Sequence, residues 1–146
     1  MKDTILFLVH VEEMFRQHFP DRMYVNRLLS AIKRADEVYV MVSEIENYEP
    51  IQEIHHCYYP YIKISWGWGY EKDQDLGQGE EKWIIPTDSP HQYTWVPPEL
   101  RKMKKKLQKN NVIIGGGYDG ECLLDFEDCL KFLDVPYRKI SGYVYP

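Results

Sequence analysis

The chain has 146 residues, a formal net charge of −5 and 44% hydrophobic residues, enough for one domain with its own core and too acidic to gather nucleic acid or an anionic membrane through a global field. No run approaches the roughly 18 apolar residues of a membrane span, and the opening MKDTILFLVHVEEMF meets charge too early for a signal peptide, so a soluble, cytoplasmic protein is expected. Three cysteines, Cys57, Cys122 and Cys129, make an odd count without metal-type pair spacing, which points to reduced thiols in a reducing compartment.

Thr4 to Val11 (TILFLVHV) is an apolar run broken only by His10, the pattern of a central strand buried on both faces. A helix is predicted from Asp21, with Val25, Leu28, Leu29 and Ile32 on one face and Lys33 and Arg34 in its last turn. Glu37 to Ser43 (EVYVMVS) is the second strand, so the first forty or so residues read as a βαβ unit with a right-handed crossover. Pro50 opens a short helix carrying Ile51 and Ile54, and Tyr59 to Trp66 (YPYIKISW) is a third strand, placed near an edge by Pro60. Residues 67–79 (GWGYEKDQDLGQG) lose all periodicity. Trp66, Trp68 and Tyr70, interleaved with glycine, form either a lid or a surface excursion with one tucked ring.

Lys82 to Ile85 is a brief strand and Pro86 to Pro98 is irregular. Pro97-Pro98-Glu99 begins a helix whose Leu100, Met103 and Leu107 make a thin apolar stripe. Its cations (Arg101, Lys102, Lys104, Lys105, Lys106, Lys109) are read as a solvated face in an acidic chain, and not as a nucleic-acid contact. Then come a strand at 112–114, a triple glycine, a helix over 120–133 capped by Asp119, and a last strand from Tyr137 to Tyr145, interrupted by Gly142, that either pairs across a homo-oligomer or closes the sheet edge.

This order predicts a single-domain α/β fold: a mostly parallel, open, Rossmann-like sheet of about five strands with helices on both faces. With the first strand central, and the second and third on one side of it, the first and fourth strands flank the topological switch point, where such sheets bind ligands. His10 and Glu12 follow the first strand there. Gly116, Gly117, Tyr118, Asp119, Gly120 and Glu121, leading into Cys122, follow the fourth. A cysteine in the first turn of a helix gains from the dipole and the free N–H groups, which favour a thiolate and would hold an oxyanion. His10 or Glu12 would handle the proton. The opposing reading makes Cys122 a small hydrophobe on the inner face of the helix, as Cys129 is expected to be. His55-His56-Cys57 is read as a turn, the acidic residues Asp73, Asp75, Glu80 and Glu81 as solvated, and neither a metal nor a cofactor is expected.

The segment GGGYDGECLLDFEDCLKFLDVPYRKI resembles the nucleophile-bearing segment of isochorismatase-like cysteine hydrolases, and ILFLVHVEEMF is similar to that family's first strand. The resemblance implies that Cys122 is the nucleophile. His10 stands at the place of the family's catalytic acid, with Glu12 two residues on. The family's lysine has no counterpart in IIPTDSPHQYTW, Lys82 being a distant one. Two functions follow from these residues: a small cysteine hydrolase acting on an amide or ester of a small molecule, or a non-catalytic domain of the same fold that binds a small molecule or another protein.

Overall fold

The computed structural model describes residues 2–66 and 80–146. Strand β1 (Thr4–Val9) leads through a 3-10 turn (Glu13–His18) to helix α1 (Tyr24–Arg34), strand β2 (Glu37–Val42), the short helix α2 (Gln52–His55) and strand β3 (Ile62–Ser65). A second 3-10 turn (Glu80–Trp83) precedes a small hairpin of β4 (Ile84–Pro86) and β5 (Tyr93–Trp95). Helices α3 (Pro98–Lys102) and α4 (Lys104–Lys109), strand β6 (Asn111–Gly116), helix α5 (Cys122–Phe132) and strand β7 (Arg138–Val144) complete the chain.

The main sheet has the order β3-β2-β1-β6-β7, and its neighbours pair in parallel throughout. The continuous apolar run of β1 follows from its place at the centre. Ile5, Phe7 and Val9 pack on one face with Leu100 of α3, Leu107 of α4, and Leu123 and Phe126 of α5. Leu6 and Leu8 pack on the other with Tyr24, Leu28 and Ile32 of α1 and Ile54 of α2. Helices therefore cover both faces, and β1 and β6 lie side by side with Val9 opposite Gly116. No helix among the described residues is long and apolar enough to cross a membrane.

The structure departs locally from the sequence pattern at three places. β1 ends at Val9 and not Val11, because His10 takes a positive φ of 52°, which breaks the strand. The basic helix predicted over 98–109 divides at Met103, yet Leu100 and Leu107 are both fully buried. The segment expected to be irregular after Pro86 contains β5, paired antiparallel with β4. Trp66 is fully buried, and its ring N–H donates to the Trp95 carbonyl at 2.9 Å. Trp68 and Tyr70 lie outside the described residues.

The glycines after β6 are set by the approach of neighbouring strands. At Gly116, φ is +96° and an added Cβ would lie 2.0 Å from the Val9 carbonyl oxygen. Gly120 also has positive φ, +82°, but open space around it. Substitution by alanine therefore separates two penalties. Gly120→Ala is expected to cost about 1 kcal/mol, the left-handed backbone term alone. Gly116→Ala adds a clash with backbone that cannot yield and is expected to cost more than about 4 kcal/mol. Denaturant midpoints of the two variants test this; equal losses would contradict the packing role.

Candidate functional site

Cys122 is the first residue of α5. The helix starts there and not at Gly120, with Glu121 at the N-cap position and no side chain capping it. Asp119, the predicted cap, instead accepts a bond from Lys139 at 3.0 Å. The Cys122 side chain is 1% exposed and packs in the cluster that contains Leu123, Phe126 and Leu130. Burial pushes its thiol up from 9.0 to about 12, and the carboxylates of Asp125, Glu121 and Glu12 push in the same direction. The helix start does not outweigh these effects, so the resting group is a neutral thiol. Cys129 is fully buried, with its thiol likewise raised by burial. All three cysteines are free.

His10 and Glu12 form a buried pair of their own. His10 Nδ1 lies 3.0 Å from Glu12 Oε1, and the Ser43 hydroxyl donates to Glu12 Oε2 at 3.1 Å. The His10 ring stacks on Trp66 at 5.9 Å and tilts against Phe15 at 5.4 Å. Glu12 also lines a cleft of about 630 Å³ with Tyr48, Glu49, Pro50 and His55, within the size range of small-molecule sites. His55-His56-Cys57 gathers no shared centre: His55 meets Tyr61 and Glu49, while Cys57 turns to the Tyr59 carbonyl.

The glycine loop is less available than its composition implies. The N–H of Gly117 donates to Val9, that of Asp119 to Tyr145, and that of Glu121 to Tyr118. Gly117 is closed on by the Tyr145 ring, 2.6 Å from where a Cβ would stand, and the Tyr118 ring packs edge-on to Phe15 and His18. Among the described residues, Tyr118, Gly120 and Cys122 keep N–H groups with no main-chain acceptor, so an oxyanion site would draw on these.

A group close to Cys122 that could move its proton comes from the β4–β5 hairpin. A ring nitrogen of His91, the Cys122 sulfur and a carboxylate oxygen of Asp125 all lie within 4.8 Å of one another. Asp125 is fully buried, one helical turn beyond Cys122 and on the same face of α5. It receives the Ser89 hydroxyl on Oδ1 at 2.5 Å and stands 2.5 Å from His91 Nδ1 through Oδ2. With Asp125 as a carboxylate, which only accepts, His91 Nδ1 is the donor of this bond. The loop is fastened further along α5 by Thr87, whose hydroxyl donates to Asp128 at 2.6 Å. The His91 side chain is 23% exposed and gives the cluster its route to solvent. Sequence reasoning singled out Cys122 and passed over His91 and Asp125. The i, i+3 spacing of Cys122 and Asp125 was the one signal present.

Comparison with known proteins finds no matching family model, no matching curated protein and no matching solved structure. The chemistry therefore rests on the residues themselves.

The raised thiol has a consequence for stability. Between about 9 and about 12 the unfolded chain ionises at Cys122 while the folded chain keeps the proton, so stability falls as pH rises. Between about pH 8 and about pH 10.5 wild type is expected to lose about 2 kcal/mol more than Cys122→Ser. Urea unfolding of both proteins at the two pH values measures the difference; parallel losses would show a thiol that ionises without resistance.

Proposed function

We propose that this chain is a small cysteine hydrolase, similar to the isochorismatase-like enzymes, that cleaves an amide or ester of a small molecule with Cys122 as nucleophile and His91 as general base. The observation that carries this reading is the Cys122–His91–Asp125 cluster at the crevice beyond β1 and β6. Nucleophile, base and orienting carboxylate are the three parts such chemistry needs. His91 and Asp125 take the role that the resemblance would give to an acid at position 10 and to a lysine.

A neutral resting thiol suits general-base attack. As Cys122 Sγ bonds to the substrate carbonyl carbon, its proton passes to His91 Nε2, while Asp125 holds the opposite nitrogen protonated and steadies the imidazolium. N–H groups of Tyr118, Gly120 and Cys122 receive the oxyanion. Collapse of the tetrahedral adduct breaks the C–N or C–O bond, His91 returns the proton to the leaving amine or alcohol, and a thioester remains. Water, deprotonated by His91, then hydrolyses the thioester to the free acid and restores the thiol. The rest of the substrate would enter from the side of His91, the solvent-exposed member of the cluster.

One observation favours a second reading, a binding domain without catalysis: the Cys122 side chain is almost fully covered. Labelling and turnover separate the two. Metal-free protein is expected to hydrolyse members of a panel of small chromogenic esters and amides, with His91→Ala lowering the rate at least about 100-fold. Iodoacetamide should modify Cys122 well ahead of Cys129, and His91→Ala should slow that reaction. No turnover, with Cys122 labelled as slowly as Cys129, would leave only the binding reading.

A further inference from the structure

We propose that His91, Cys122 and Asp125 also form a binding site for a thiophilic divalent transition-metal ion, with Zn2+ the ion that fits it best. The inference rests on the geometry of the cluster and not on the hydrolase reading. The three donor atoms lie within 4.8 Å of one another. Around a tetrahedral Zn2+, with bonds of about 2.3 Å to sulfur and about 2.1 Å to nitrogen or oxygen, ligand atoms sit about 3.4 to 3.6 Å apart. Side-chain adjustments of about an ångström would close the set.

The donor set selects the class of ion. Sulfur, imidazole nitrogen and one carboxylate oxygen suit zinc, whereas calcium and magnesium require oxygen shells. Asp125 Oδ1 accepts from Ser89 and keeps further lone pairs for a metal; an ion between Asp125 and His91 would replace the Nδ1 proton, which moves to Nε2, so that contact becomes shared coordination. Ser89 is then the outer partner that fixes the carboxylate. Its hydroxyl also accepts the His91 main-chain N–H at 3.1 Å, tying the third ligand to the same anchor. Two ligands ride on one turn of α5 and the third on a loop bonded to that helix, so the site is largely assembled without the ion.

Charge balance supports the same conclusion. A thiolate and a carboxylate match the charge of the ion in a site where an unpaired anion is costly. Glu12 and Glu121, which act on Cys122 through their charge, add a negative field that draws cations. On binding, the thiol releases its proton to solvent and its sulfur becomes a ligand. A metal-loaded protein therefore has no free nucleophile, and the ion would act as a reversible block on the proposed hydrolysis. Three protein ligands leave a fourth position for water or a small anion.

The experiment uses the full chain, stripped with chelator and titrated with Co2+ as a spectroscopic probe, then with Zn2+ in competition with a chromophoric chelator. Expected are one ion per chain and a thiolate-to-cobalt charge-transfer band. The band should be abolished by Cys122→Ser and unaffected by Cys57→Ser. Affinity should fall at least about tenfold in His91→Ala, with His91→Asn as the companion variant whose side-chain amide can still donate to Asp125. Should Cys122→Ser fail to fold, His91→Ala and mass mapping of alkylated wild type, with Zn2+ protecting Cys122, give the same decision. A missing charge-transfer band, or affinity unchanged in His91→Ala, would overturn the site. Since no substrate is involved, inactivity of the metal-free protein toward esters and amides bears on the hydrolase reading alone.

Discussion

A carboxylate without access to water must be satisfied by the protein around it, and the candidate site depends on how this chain meets that demand at Asp125. The residue is fully buried on α5. Its two oxygens are served by Ser89 and His91, both from the loop between β4 and β5. Leaving such a group unpartnered costs several kcal/mol, so the hairpin loop is fixed to the helix far more firmly than its short strands alone could achieve. The same attachment delivers an imidazole to the neighbourhood of Cys122. Stability and chemistry thus share one anchor, and the loop can leave α5 only by exposing a charge that has no other partner there.

The fold beneath this anchor follows from the first strand. β1 is apolar on both faces because it is covered on both, and its parallel pairing with β6 brings the turn after Val9 against the glycines after Ile114. That contact is close enough to exclude a side chain at Gly116. The glycines therefore serve the junction of two strands, and what they leave for a ligand is a small number of N–H groups at the start of α5. The charges that act on the Cys122 thiol are acidic. Burial, Asp125, Glu121 and Glu12 all favour the protonated thiol, so reactivity there has to come from a base or a cation and not from the helix end.

Much of this was legible in the sequence. The strand order could be laid out because the apolar runs at Thr4–Val11 and Glu37–Ser43 are long and the helices between strands carry 3.6-residue periodicity. The triple glycine marked the sheet's switch point but was read as an anion-holding loop, and the close passage of β1 behind Gly116 came only with the fold. The hairpin was half legible: the strand read over Lys82–Ile85 overlaps β4 (Ile84–Pro86), whereas the three residues of β5 hold too little alternation to identify a strand. His91 was lost with that second strand. Its partner Asp125 lies 34 positions later, and nothing local in SPHQYTW announces a distant carboxylate. Trp66 was read either as part of a lid or as a tucked ring, and its ring fills the space between His10 and Phe126. Position 10 shows the same limit, as its left-handed backbone depends on contacts no strand pattern encodes.

Tyr145 joins the two sides of the crevice. Its phenol donates to the carbonyl of His10 at 2.6 Å, at the turn leaving β1. Its main-chain N–H bonds Gly116 and its carbonyl accepts from Asp119, in the loop leaving β6. One residue thus staples both rims of the cleft to the last strand of the sheet. Neither rim can swing outward alone, so widening of the cleft along this side requires the two loops to travel together with the staple or the staple to let go.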